Sequence, residues 1–166
     1  AYGGHLFTIT QNRGVGTNYW VTTGNEVDVD VAEVIEFYAK EPDIKVIVSY
    51  AEGIKDGNRL CKALDAARKA KKPVIFMKVG STEAGARAAA SHTASLAGED
   101  AIYDGVFKQF GVYRAETTEE MADIAMAMAA KARQMGHTPR VAILSFTNFG
   151  NPESRTSVEA RRAVEI

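Results

Sequence analysis

Hydrophobic residues occur in short blocks along this chain, and the spacing within each block predicts a strand or a helix. Strands are predicted at residues 5–10, 18–23, 45–50, 73–79, 112–115 and 140–146. Helices are predicted at residues 30–40, 56–70, 99–110, 117–134 and 153–166. Because strands and helices alternate, we expect a mostly parallel sheet with helices packed on it, which is an α/β fold.

The beginning of the chain breaks this alternation. Only about seven residues separate the strand predicted at 5–10 from the one at 18–23, whereas a parallel crossover needs a dozen or more. The helix that should follow Gln11 is therefore expected to be missing, either deleted from the protein or absent from these 166 residues. The sequence alone does not separate these two explanations.

The composition indicates a globular protein of one ordinary domain, with 166 residues of which 46% are hydrophobic and 25% charged. The formal net charge of −1 gives no electrostatic argument for binding nucleic acid or a membrane surface. The one cysteine, Cys61, excludes an internal disulfide and suits a reducing compartment, so a cytoplasmic location is expected. No pair of histidines or cysteines has the spacing of metal ligands, so we expect no metal site.

A stretch rich in small residues, 81–98, follows the strand predicted at 73–79. Small side chains allow a loop at the carboxyl end of a strand to close on a small ligand. The stretch contains one imidazole, His92, between the hydroxyls of Ser91 and Thr93. Neutral imidazole is a nucleophile near pH 7. A surface histidine without a chemical role is the alternative interpretation of the pattern.

Residues 80–98 read Gly-Ser-Thr-Glu-Ala-Gly-Ala-Arg-Ala-Ala-Ala-Ser-His-Thr-Ala-Ser-Leu-Ala-Gly. This stretch resembles the phosphohistidine loop of the NDP-forming acyl-CoA synthetases, relatives of the succinyl-CoA synthetase alpha subunit, which commonly reads Ser-His-Thr-Gly-x-Leu-Ala-Gly. The resemblance covers about residues 3–135 and departs from the family pattern at Ala94, where the family usually has glycine. It implies a flavodoxin-like three-layer sandwich in which His92 carries a phosphoryl group.

The resemblance also implies roles for other residues. In the family an acidic residue contacts the reactive histidine, and Glu52 stands at the matching position. Gly24 and Asn25 match the family's Gly-Asn-x-x-Asp-Val-Asp loop, and we expect them to bind phosphate together with Ser91 and Thr93. The alternatives are a solvated acid at a strand end and an ordinary turn between a strand and a helix.

Members of the family use CoA, ADP or ATP, and magnesium, which other domains bind. These 166 residues contain neither a CoA-binding Rossmann domain nor an ATP-grasp domain, so we expect no cofactor to bind this chain alone. The expected partners are those missing domains or subunits, and a second copy of the chain is a further option. The implied cycle forms an acyl phosphate, transfers the acyl group to CoA and passes the phosphoryl group through His92 to ADP. Whether this chain alone is an enzyme is left open.

The segment at 139–166 resembles a strand, loop and helix of the phosphate acetyltransferase domain. We therefore divide the chain into a phosphohistidine domain at residues 1–136 and a strand–loop–helix extension at 137–166. Two functions stay open at this point: the phosphohistidine domain of an acid–CoA ligase, and a non-catalytic or engineered, chimaeric α/β scaffold. The first predicts an acid-labile, alkali-stable phosphorylation, and the second predicts none.

Overall fold

A computed structural model of the chain describes residues 2–79 and 100–145. The strands in these ranges are β1 (Thr17–Thr22), β2 (Val46–Ala51), β3 (Val74–Lys78), β4 (Tyr113–Arg114) and β5 (Val141–Ser145). The helices there are α1 (Tyr2–Asn12), α2 (Val31–Lys40), α3 (Gly57–Lys69), α4 (Asp100–Phe110) and α5 (Thr118–Gln134). All pairs of neighbouring strands are parallel, so the predicted α/β fold class is confirmed.

The strand order across the sheet is β1-β5-β2-β3-β4. The flavodoxin-like order is 2-1-3-4-5, in which the first strand of the chain holds the second position. Here β5, the last strand along the described chain, holds that position. Ile143 of β5 lies opposite Trp20 of β1 on one side and opposite Val48 of β2 on the other. The strand near the start of the predicted extension is therefore a central strand of the sheet.

Helices cover the sheet on both faces, which gives three layers. Helices α2, α3 and α4 pack around one apolar cluster, whose fully buried members include Ile35, Tyr38, Leu64, Phe76 and Phe107. Helices α1 and α5 pack around the other, which includes Leu6, Val48, Ile75, Met121 and Ile143. Strand β5 contributes alternate side chains to both clusters, as a strand buried on both faces does.

Residues 5–10 form part of helix α1, so the strand predicted there is wrong. Leu6 and Thr10 are four residues apart, lie on one side of the helix and are both fully buried. The Thr10 hydroxyl donates to the backbone oxygens of Leu6 at 3.1 Å and Phe7 at 2.9 Å. The Phe7 ring stacks on Trp20 of β1, with centroids 5.2 Å apart. Packing against the sheet thus overrides the strand preference of the β-branched residues in this segment.

The expectation that a helix is missing after Gln11 is wrong for the same reason. A helix, not a strand, precedes β1, so no crossover is needed between them. The chain reverses at Gly14, whose φ is +71°. The Val15 N–H then donates to the Thr10 oxygen at 3.0 Å, and the chain leads directly into β1.

Four of the described helices end in the same way. One or two residues after the end of α1, α3, α4 and α5, a residue has a positive φ, and these residues are Gly14, Lys71, Gly111 and Gly136. After α5 the Gly136 N–H donates to the Arg133 oxygen at 2.9 Å and the next N–H to the Ala132 oxygen at 3.0 Å, which is a Schellman motif. Lys71 makes the equivalent bond to Arg68 at 3.0 Å, although a lysine is sterically disfavoured in this conformation.

The other predicted elements that fall in the described ranges agree with the structure to within one residue at each end. Across these ranges, no helix is long and apolar enough to cross a membrane. The helix predicted at 153–166 lies outside the described residues. The domain boundary at residue 136 and the separate origin of the extension stay predictions.

Candidate functional site

Three of the six predicted site residues lie where the strands end. Because all strands are parallel, their carboxyl ends share one edge of the sheet. Glu52 directly follows β2, and Gly24 and Asn25 form a turn one residue after β1. The other three predicted residues, Ser91, His92 and Thr93, lie outside the described residues. The structure therefore describes the edge from which the stretch containing His92 departs and to which the chain returns.

Glu52 is half-buried, and its Oε2 atom is buried. The pairing of β2 with β3 continues one residue past the end of β3, since the Val79 N–H donates to the Ala51 oxygen at 3.0 Å. Ala51 is also the residue opposite Lys78 in the ladder between β2 and β3. Glu52 therefore lies beside Lys78 and Val79, which come directly before the stretch 80–99.

The loop that holds Gly24 and Asn25 is joined to the loop after β2. Gly24 has a φ of +58°, a left-handed conformation that favours glycine. The ammonium of Lys55 donates to the Asn25 oxygen at 2.8 Å and to the Glu26 oxygen at 2.6 Å. The loops that follow β1 and β2 are thus in contact, although β5 lies between the two strands in the sheet.

Glu26 stabilises the loop after β1 through hydrogen bonds within that loop. Its carboxylate accepts the Val31 N–H at 3.2 Å and the Thr23 hydroxyl at 3.4 Å. Burial raises the pKa of Glu26, and the hydrogen bond from Val31 opposes that rise. These contacts give Glu26 a structural role in the loop.

Lys78 is a buried cation at this edge that the sequence reasoning missed. It is the last residue of β3 and is 5% exposed. Its ammonium donates to the Val79 oxygen at 2.6 Å and lies 5.2 Å from the centre of the Tyr103 ring. Burial lowers the pKa of Lys78, whereas the carboxylates of Asp100 and Glu52 act to raise it. The available signal was a lysine at the end of an otherwise apolar strand.

The start of α4 is fixed to the same edge. A hydrogen bond joins the Tyr103 hydroxyl to the backbone of Ile54, two residues after Glu52, while burial raises the pKa of Tyr103. Arg114 of β4 contacts Asp100 and Asp104 in the first turns of α4, each at 2.5 Å. Both chain ends that flank residues 80–99 are therefore held near the loop that contains Glu52.

The arrangement offers a carboxylate and a buried ammonium at one strand edge. A carboxylate can accept the N–H of an imidazole and fix its tautomer, which leaves the other ring nitrogen free to attack. In the ranges 2–79 and 100–145, no group of three or more histidine, cysteine, aspartate or glutamate side chains is arranged to hold a metal ion. The carboxylate of Glu52 is therefore the described group at this edge that could orient an imidazole.

Comparison with known proteins identifies relatives of this chain. The family described as the succinyl-CoA ligase like flavodoxin domain matches residues 1–128. The alpha subunit of acetate–CoA ligase [ADP-forming] II from Pyrococcus furiosus is 41% identical over 159 residues, which are 96% of this chain and 34% of that protein. The alpha subunit of ligase I from the same organism is 44% identical over 136 residues, which are 82% of this chain and 28% of that protein.

A solved structure is also similar. It is the dinucleotide forming acetyl-coenzyme A synthetase 1 of Ca. Korarchaeum cryptofilum in complex with phosphate and ADP, at 41% identity and a TM-score of 0.60. The match covers 65% of this chain and 24% of that one. This chain thus spans about a third or less of the proteins that it matches.

Proposed function

This chain belongs to the succinyl-CoA ligase like flavodoxin domain family, and from that membership we propose that it is the phosphohistidine-bearing domain of an NDP-forming acid–CoA ligase. His92 receives a phosphoryl group from an acyl phosphate and passes it to ADP. The names of the relatives support the reaction class, since both ligases are ADP-forming. Because the chain spans only part of each relative, the sites for CoA and nucleotide are assigned to other domains or subunits.

The proposed relay has two displacements at phosphorus. A ring nitrogen of His92 attacks the phosphorus of the acyl phosphate, an N–P bond forms, and the P–O bond to the acyl group breaks to release the carboxylate. A terminal oxygen of ADP then attacks the same phosphorus, a P–O bond forms, and the N–P bond breaks, which releases ATP and restores the neutral imidazole. Throughout, the second ring nitrogen donates its N–H to Glu52, whose negative charge balances the positive charge on the phosphorylated ring.

The observation that carries this proposal is the convergence of both flanks of residues 80–99 on the Glu52 loop. Val79 is hydrogen-bonded to Ala51, directly before Glu52. Asp100 is eight residues after His92, a length that extended backbone spans over about 26 Å. The chain length between these fixed points therefore allows the His92 imidazole to reach the Glu52 carboxylate.

Phosphate binding by Gly24, Asn25, Ser91 and Thr93 is part of the same proposal. The left-handed φ of Gly24 and the exposure of Asn25 support it, because such a turn presents backbone N–H groups at the strand edge. CoA, ADP or ATP, and magnesium are assigned to the other domains. A cytoplasmic site of action, which the single cysteine favours, completes the proposal.

The test uses the full-length protein with all of its domains and subunits, radiolabelled ATP and magnesium. We expect His92→Ala to abolish acid-labile, alkali-stable protein phosphorylation and ligase turnover. His137→Ala is the matched control, since His137 is exposed and precedes β5 at the opposite edge of the sheet. Full ligase activity in the His92→Ala protein would refute the proposal, and absence of labelling in the unmodified protein would favour the scaffold interpretation.

A second test concerns the orienting carboxylate. Glu52→Gln keeps the size of the side chain but removes its charge. We expect the rate of His92 phosphorylation to fall by about 10- to 100-fold, the loss that follows when the carboxylate partner of a metal-bound histidine is changed. An unchanged rate would remove Glu52 from the proposed site and leave His92 in it.

A further inference from the structure

We propose that Lys78 is a positioning residue of the phosphoryl-transfer site, which acts through Glu52 by supplying the positive charge that keeps this carboxylate ionised beside the phosphorylated histidine. The inference rests on the proposed function above, because it needs His92 to meet Glu52 at the strand edge. It assigns a role to a side chain that neither the strand pattern nor the resemblance singled out.

Burial is the first argument. An ammonium that leaves water loses solvation, and a buried position is normally filled by an apolar side chain unless the charge is used. Lys78 is 5% exposed and follows four apolar residues of β3. An apolar residue of the same length would fill this position at a lower cost in solvation. The charge is therefore the feature that needs an explanation.

Placement is the second argument. Lys78 lies directly opposite Ala51 in the ladder, so its backbone is next to that of Glu52. The Val79 oxygen and the Tyr103 ring hold the ammonium, and both belong to the segments that flank residues 80–99. A change in the position of either segment would therefore alter a contact of the Lys78 ammonium.

The charge balance of the reaction is the third argument. A phosphoryl group carries up to two negative charges, and the proposed relay brings it next to the Glu52 carboxylate. Like charges at close range favour protonation of one of them. A protonated Glu52 no longer balances the charge of the imidazole, so a fixed cation nearby is required for the carboxylate to keep its role.

The other charged groups at this edge have different partners. Arg114 of β4 is paired with Asp100 and Asp104 of α4. Lys55, which follows β2, is exposed and donates to backbone oxygens of the loop after β1. Of the charged groups that act on Lys78 from the neighbouring elements, the acidic Asp100 has the largest effect, followed by the basic Arg114 and the acidic Glu52. The Tyr103 ring that faces the ammonium is neutral. Among the cations of the described residues at this edge, Lys78 is the buried one.

The experiment measures the rate of His92 phosphorylation against pH, from mildly acidic to neutral, in the full-length protein with radiolabelled ATP. In Lys78→Met the carboxylate of Glu52 loses a nearby cation and is protonated more easily. We expect the acid limb of the profile, the range in which the rate falls with decreasing pH, to shift to higher pH by about one unit. Lys78→Gln, which keeps a donor for the Val79 oxygen, should move it equally, and Lys78→Arg should leave it close to the original position.

Lys72→Met is the matched control. Lys72 lies just before β3, at the opposite end of the strand from Lys78. Its ammonium also contacts backbone oxygens, those of Tyr38 at 2.9 Å and of Glu41, and burial also lowers its pKa. This variant removes a comparable lysine far from Glu52, so it should leave the acid limb unmoved even where it lowers stability.

The outcomes separate this inference from the proposed function. If His92→Ala abolishes labelling but both neutral Lys78 variants keep the original acid limb, Lys78 has a structural role only and the inference is wrong. If His92→Ala leaves labelling intact, the proposed function itself fails. A shift that appears in Lys72→Met to the same extent would also overturn the inference, because it would not be specific to the Glu52 edge.

Discussion

The Tyr38 hydroxyl donates a hydrogen bond of 3.2 Å to the backbone oxygen of Ile143. Tyr38 lies in α2 and Ile143 in β5, and both residues are fully buried. The two are 105 positions apart in the chain. This bond links the central strand directly to the helices that cover one face of the sheet.

Tyr38→Phe removes that bond and leaves the ring in place. We expect the free energy of unfolding to fall by about 1 kcal/mol, the usual net contribution of a buried hydrogen bond. Denaturant titration followed by circular dichroism measures the change. Tyr113→Phe is the control, because the Tyr113 side chain is exposed and its loss should have no measurable effect.

Stability should also fall in strongly alkaline solution because of Tyr38. Burial raises the pKa of its hydroxyl, so the folded protein favours the neutral form. The resulting stability is present below the pKa of about 10 of an unfolded tyrosine and is lost as pH rises above it. Unfolding free energies measured at increasing pH should decline less steeply in Tyr38→Phe. Equal slopes would contradict the assignment.

Lys71→Gly should stabilise the protein. Lys71 adopts a left-handed conformation after α3, whereas glycine holds the equivalent place after α5. Relief of the steric cost, reduced by the larger entropy of unfolded glycine, should give about 0.5–1 kcal/mol. Thermal unfolding measures the gain. Lys71→Ala keeps the strain and is the control, so an equal gain in both variants would exclude backbone conformation as the cause.

Asp30→Ala should destabilise the start of α2. Asp30 Oδ1 accepts the Glu33 N–H at 2.8 Å, and Oδ2 accepts from Arg59 of α3 at 2.8 Å. Loss of the cap should cost about 1 kcal/mol. Asn retains the capping oxygen, so Asp30→Asn should cost much less in chemical denaturation. Comparable losses in the two variants would show that the ion pair with Arg59, and not the cap, is the stabilising contact.

Local signals in the sequence were sufficient for most elements. The runs that became β2 and β3 are apolar because both faces are covered, and this property is visible residue by residue. Helix starts were also visible. Asp30 with Glu33 forms a capping box, and Thr117 accepts the Glu120 N–H at 3.1 Å, so both caps are made between residues three apart in the sequence.

Features that depend on distant parts of the chain were not predictable. Helix α1 contains β-branched residues, and its stability comes from packing against α5 and the sheet. The place of β5 between β1 and β2 is a property of strand order, which no local pattern encodes. The position of Glu52 at a strand end was predicted, but the burial of Lys78 beside it was not, because it depends on how β3 pairs with β2.

The central position of β5 has a consequence for how the chain folds. Among the described strands, β1 pairs with β5 alone, so it has no hydrogen-bonding neighbour until residues 141–145 have been synthesised and have entered the sheet. During synthesis the pairs β2–β3 and β3–β4 can form while β1 waits. Contacts between segments so far apart in sequence slow folding. Truncation before Val141 would therefore leave β2, β3 and β4 as the paired part of the described sheet and would remove the described partner of the aromatic β1, which favours aggregation.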